Sequence, residues 1–293
     1  MKLSVTENAT QHSEICVALG WTSASELVTC SDDQSVIRWQ IGSGLQKGMA
    51  PGSSNEKVMD MEGKNVYVTD MHWFPSKGAK GGSDVFCVSC TDGCMRLISK
   101  SGRVEKVVEG HKGAVVSVRW SHEGTALATC GEDGVIKIWS RAGMLRSTLA
   151  QNDSAVYAIC WGPDSDQILF SNGKQLIIKP LQPSAKQTRW KAHDAAVLKV
   201  DWNPVNNLII SGGEDCRYKV WDSYGRQMYS SAPYDYAITS VAWAPNGETF
   251  AVGSFNQLRV CDKTGWSLCQ QSTGAPLPTR PPARPPPPPL FPS

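Results

Sequence analysis

In two stretches the chain sets a histidine, an aspartate and a tryptophan in the same order: His111, Asp133 and Trp139, then His193, Asp215 and Trp221. A His beside a carboxylate is the pairing that general acid–base chemistry uses, because the carboxylate orients the imidazole and stabilises its protonated form. A second chemistry is suggested by Cys87-Val-Ser-Cys90, with Cys94 just beyond, since paired thiolates hold zinc or form a redox couple. Neither reading fits its surroundings. A catalytic dyad has no reason to recur along one chain, whereas a His N–H bonded to a buried Asp satisfies both groups and locks a turn wherever that turn is repeated. The cysteines fall in a strand-like run, DVFCVSCTDG, where residues three apart project from opposite faces and cannot hold one ion. They read instead as small core residues. The sequence also contains no phosphate loop ending in Lys-Ser/Thr, no GxSxG elbow and no HExxH. We therefore expect no catalytic residue, no metal ligand, no cofactor and no enzymatic activity.

The elements that must position these residues form a repeat, clearest at Ala192–Asp222. There a His-Asp pair leads into an alternating segment ending at Trp202, an apolar segment, a Gly-Gly-Glu-Asp turn, and a third segment ending in Trp-Asp. Strands ending in Trp21, Trp73, Trp120, Trp161, Trp202 and Trp243 lie 52, 47, 41, 41 and 41 residues apart. The two long intervals contain the loop Gly42–Asn55 and the insertion Ser76–Ser83, both Gly-rich. A tight turn follows each Trp strand, at Asp33, Asp92, Asp133, Asn172, Asp215 and Phe255, and precedes a third strand such as SVIRW, VIKIW or RYKVW. A weaker fourth strand, as at Met144–Ala150, suits an outer edge. This is the blade pattern of the WD40 propeller. The expected fold is all-β, with six recognisable four-stranded blades over residues 1–271. Lys2–Thr6 is a candidate outer strand for closing the ring.

Composition agrees with a turn-rich β body: eleven Trp, 26 Gly and only 19% charged residues. The net charge of +2 gives no nucleic-acid footprint, and no apolar run approaches the length of a membrane span. MKLSVTENAT has no secretory core, and ten Cys in 293 residues are too sparse for a disulfide scaffold, so the chain reads as soluble with reduced thiols. Residues 272–293 change character, with ten Pro in the last eighteen, and read as an extended, disordered tail. Its Pro285–Pro289 run could dock an aromatic groove or serve no purpose.

With His, Asp and Trp assigned to scaffolding, the residues ahead of each turn become the candidate surface. Asp32, Thr91, Glu132, Ser171, Glu214 and Ser254 are expected around the central opening, on the face where the loops before the first strands also emerge. Their mixture of acids and hydroxyls suits a partner with a basic or polar element; the alternative is a solvated rim.

Beyond the repeat itself, the strings GRVEK (Gly102–Lys106), GEDGVIKIWS (Gly131–Ser140), KQLIIKPLQP (Lys174–Pro183), GEDCRYKVWDSYGR (Gly213–Arg226) and CDKTGW (Cys261–Trp266) closely resemble the eighty-kilodalton subunit family of intraflagellar transport complex B. The resemblance covers essentially residues 1–271, including the third strand of the fourth blade, which lacks a Trp. It implies a non-enzymatic scaffold in the cytoplasm and the cilium, at basal body and axoneme. It also implies contact with other complex B subunits, among them one with a calponin-homology domain. Family members carry a seventh blade, a second propeller and a helical dimerisation region, none of which is seen here, so the chain reads as a shortened form. The competing reading is a general WD40 adaptor such as a ubiquitin-ligase substrate receptor.

Overall fold

A computed structural model describes residues 12–23, 26–40, 56–60, 66–75 and 85–272. Every regular element among them is a β-strand. The strands form six antiparallel sheets of four, each ordered as in the chain, so every blade is a simple meander. The inner strands are Cys16–Ser23, Val68–Trp73, Val115–Trp120, Ile159–Trp161, Val197–Trp202 and Ile238–Trp243. Each contains one of the six tryptophans that mark the repeat. The sixth blade has its own outer strand, Ser267–Ser272, which extends one residue into the segment that the composition assigned to the tail. Lys2–Thr6, the Gly42–Asn55 loop, the Ser76–Ser83 insertion and the tail beyond Ser272 lie outside the described residues.

The core is five apolar layers, each between consecutive blades rather than within one. Ala18, Val28 and Cys30 of the first blade meet Val68, Met71 and Val88 of the second. Met95 and Leu97 of the second meet Val118 and Trp120 of the third, and the same plan continues to Ile210, Tyr218 and Val220 of the fifth against Phe250 and Val252 of the sixth. A strand with side chains alternating between two faces serves two such layers at once, which is why second strands such as Ala126–Gly131 are buried throughout. Cys87 and Cys90 show the geometry directly. Cys87 packs toward the third blade and Cys90 toward the first, on opposite faces of their strand, and burial pushes both thiols up, Cys90 to about 12.

Inner strands carry a second regularity that alternation does not reveal. In the first, second, third, fifth and sixth blades the pairing register slips near the start of the inner strand, leaving Val17, Thr69, Val116, Leu198 and Thr239 as the extra residue of a β-bulge. A bulge re-aims a side chain. Here all five point to one place, the mouth of the central channel, where Tyr157 of the fourth blade completes the wall.

Candidate functional site

The paired His and Asp residues meet as expected, but each is one link in a longer chain of hydrogen bonds. In the third blade Trp139 Nε1 donates to Thr129 Oγ1 (2.8 Å), which lies 2.8 Å from His111 Nε2, and His111 Nδ1 lies 2.9 Å from Asp133. The fifth blade repeats this through Trp221, Ser211, His193 and Asp215, at 2.8, 2.7 and 2.8 Å. The carboxylate settles the direction. The carboxylate can only accept, so Nδ1 carries the hydrogen; in a neutral ring Nε2 then accepts the hydroxyl O–H, while the indole N–H donates to the hydroxyl oxygen. The carboxylate also accepts backbone N–H groups from both sides of the turn, Lys112 and Val135 in one blade and Asp194 and Arg217 in the other.

This arrangement requires a neutral imidazole. Burial lowers the pKa of His111 and His193, and their aspartates only partly oppose it. Burial resists the charge on Asp133 and Asp215, yet the His and backbone donors more than offset it, so both stay below the usual carboxylate range. Both histidine side chains are fully buried and both ring nitrogens are committed. Each pair ties the opening loop of its blade to the turn and strands of that same blade.

A third copy escaped the sequence reading: Trp39, Thr29, His12 and Asp33 in the first blade, with contacts of 2.7, 2.7 and 2.9 Å. Its signal was present. The His precedes the Asp by 21 residues here and by 22 in the other two, the hydroxyl precedes it by four in all three, and the Trp follows it by six. Even-numbered blades fill the same place differently: Asp92 with Arg96 Nη2 (2.5 Å), Asn152 with Asn172 (3.1 Å), and a Tyr236–Phe255 edge contact at 5.0 Å.

Inner strands also hold charge that the sequence reading assigned no place. Asp70 of the second blade accepts from Ser117 Oγ (2.6 Å), from the Val118 N–H (3.1 Å) and from Arg119, all of the third blade. His72 Nδ1 accepts the Trp120 N–H at 3.0 Å, its pKa pushed down by burial to about 3, and Asp201 accepts the Trp243 N–H at 2.7 Å. Burial raises the pKa of Asp201. Each of these bonds crosses from one blade to the next. They stitch consecutive blades, and among the described residues no group of three or more His, Cys, Asp or Glu is placed to hold a metal ion.

Five of the six rim positions are equivalent in the backbone. The N–H groups of Asp32, Thr91, Glu132, Ser171 and Glu214 donate to the carbonyls of Ile15, Tyr67, Ala114, Ala158 and Ala196, so each turn sits against the loop that opens its own blade. Their side chains diverge. Asp32, Thr91, Glu132 and Glu214 are exposed. Thr91 accepts the Tyr67 N–H (3.0 Å), and Glu132 accepts the Ala114 N–H (3.1 Å). Ser254 is half-buried, its hydroxyl donating to Tyr236 and Ala237. Ser171 corrects the expectation of a displayed ring: it is 1% exposed, because its hydroxyl turns back to accept the Ala158 N–H. Asp32 and Thr91 also border a cavity of about 360 Å3 at the channel mouth, walled by the bulged residues of five blades and by Tyr157.

Comparisons with known proteins agree with this architecture. The family "WD domain, G-beta repeat" matches residues 102–140, 184–222 and 227–260. The chain is 54% identical over 280 residues to Intraflagellar transport protein 80 homolog of Mus musculus, covering 94% of this chain and 35% of the relative. The Rattus norvegicus counterpart is 54% identical over 270 residues, covering 90% and 34%. Protein HIR1 of Cryptococcus neoformans is more distant, 28% identical over 56% of the chain and 16% of the relative. The chain thus spans about a third of the length of the two rodent relatives. Six WD40 blades, together with 54% identity along nearly all of its length, place the chain in the family of the intraflagellar transport protein 80 homologues.

Proposed function

We propose that the chain is a non-enzymatic WD40 scaffold of intraflagellar transport complex B, serving cilium assembly and maintenance. The observation that carries this reading is the 54% identity, sustained over 94% of the chain, to a protein named for intraflagellar transport. The hydrogen-bond geometry supports the non-enzymatic part, since every buried His–Asp pair is spent on holding a turn. Its place of work is the cytoplasm and the cilium, at basal body and axoneme, and its partners are other complex B subunits, including one with a calponin-homology domain. The rim at Asp32, Thr91, Glu132, Glu214 and Ser254 is the contact surface, with Ser171 buttressing it from beneath. Co-purification of the tagged chain from ciliated cells tests the proposal. Complex B subunits are expected in the eluate; recovery of ubiquitin-ligase components without them would replace this reading with the adaptor one.

A further inference from the structure

The cavity at the channel mouth and the loops around it have opposite characters. Its wall is largely apolar: Val17, Val116 and Leu198 on bulges, with Tyr67 and Tyr157, 37% and 41% exposed, beside them. Asp32 borders that collar, and outside it the turns and blade-opening loops of the same face expose the acids Glu14, Glu132, Asp153, Glu214 and Asp235. Among the described residues of these loops the exposed bases are Lys112 and Lys174. The whole chain is slightly basic, at +2, so this is a sorting of charge onto one face and not an acidic composition. Lys199 borders the cavity from the inner strand of the fifth blade, which disfavours a cation entering it.

Resting on the scaffold reading, we infer that this face binds a protein segment that places one uncharged apolar side chain in the collar and lays flanking Lys or Arg residues on the acidic rim. The apolar wall supplies the burial, and the rim supplies attraction and register. Five bulges aimed at one cavity are what such a socket needs. A bulged residue is free of the ladder on its own strand, so its side chain is available to a ligand without loosening the blade.

The test is fluorescence anisotropy of the intact chain with a labelled peptide, Lys-Arg-Lys-Trp-Lys-Arg-Lys, and with versions carrying Ala or Glu in place of Trp. The Trp peptide is expected to bind about tenfold or more tighter than the Ala peptide, and the Glu peptide no better than Ala. Leu198→Arg, which fills the collar with charge, should remove the preference for Trp. Glu214→Lys, on an exposed turn that leaves the fold untouched, should weaken all three peptides and flatten their salt dependence. Asp164→Asn with Glu248→Gln, on the opposite face, should change nothing. Equal binding of the Trp and Ala peptides, or equal loss in the opposite-face variant, would overturn the inference and leave only diffuse attraction. The titration needs no ciliary extract, so its outcome stands apart from that of the co-purification.

Discussion

The hydroxyl between indole and imidazole joins the two rings of each tetrad, accepting from one and donating to the other. Thr129→Val would keep the shape and strand preference of the side chain while leaving the Trp139 N–H and the His111 Nε2 without partners. A loss of about 1–3 kcal/mol in unfolding free energy is expected, against little change for Thr129→Ser, as read by urea denaturation. Acidification tests the same network through the imidazole. The folded-state pKa of His111 and of His193 lies below the unfolded value of about 6.5. Below that value the unfolded chain takes up protons that the folded chain refuses. The histidine contribution is therefore complete above about pH 6.5 and is lost as pH falls from there through the folded pKa. Asp133 and Asp215 are depressed in turn, so their contribution is lost at lower pH, below the ordinary carboxylate value of about 3.9. A urea midpoint that falls as pH drops below about 6.5, and goes on falling through the carboxylate range as His72, held down to about 3, and the aspartates take up protons, is the expected result. A midpoint rising on acidification to pH 5 would mean that the imidazoles are charged in the fold.

At the scale of the element, the turn is shaped by what its glycine leaves out. A Cβ on Gly131 would stand 2.8 Å from His111 Nδ1 and 3.0 Å from Asp133 Oδ1; on Gly213 the corresponding distances are 2.9 and 3.1 Å. Gly131→Ala or Gly213→Ala should push the imidazole off its carboxylate, at a cost of about 1–3 kcal/mol in thermal or urea unfolding. These turns were legible in the sequence because Gly-Glu-Asp is a local signal, and so were the strand order and the opposite facings of Cys87 and Cys90, which follow from a period of two. His12 was legible only through its distance from Asp33, and a loop histidine in a less regular first repeat gave no local signal. The bulges at Val17, Thr69, Val116, Leu198 and Thr239 were not legible. Val-Val-Ser and Val-Leu-Lys read equally well with or without an extra residue, and the slip is decided by twist and by the packing of the neighbouring blade. Ser171 likewise reads as a displayed residue from its repeat position, and only its hydroxyl's choice of a backbone partner hides it.

Across the whole molecule five of the six inner-strand tryptophans, Trp73, Trp120, Trp161, Trp202 and Trp243, act as wedges, each driven into the blade before its own. Trp73 rests on Gly20 of the first blade, where a Cβ would come within 2.5 Å of its ring, and Trp202 lies over Gly162 of the fourth. Trp120, Trp161 and Trp202 are only 3%, 3% and 2% exposed as a result. Among the described residues Trp21 has no such seat. It is 53% exposed and Leu19 beside it 58%, and among the described residues no buried apolar cluster joins the sixth blade to the first. One residue type at one repeat position therefore has two energetic roles. Trp120→Ala removes a ring from the layer between second and third blades and should cost about 3–5 kcal/mol, whereas Trp21→Ala should cost less than about 1 kcal/mol. Exposed apolar surface of this kind favours association between molecules, so the two variants should also part in solution behaviour. Trp21→Ser with Leu19→Ser is expected to lower light scattering at high protein concentration without moving the urea midpoint, while Trp120→Ala lowers the midpoint. Equal destabilisation by Trp21→Ala and Trp120→Ala would show that the first wedge is seated in solution after all, with the ring closed over it.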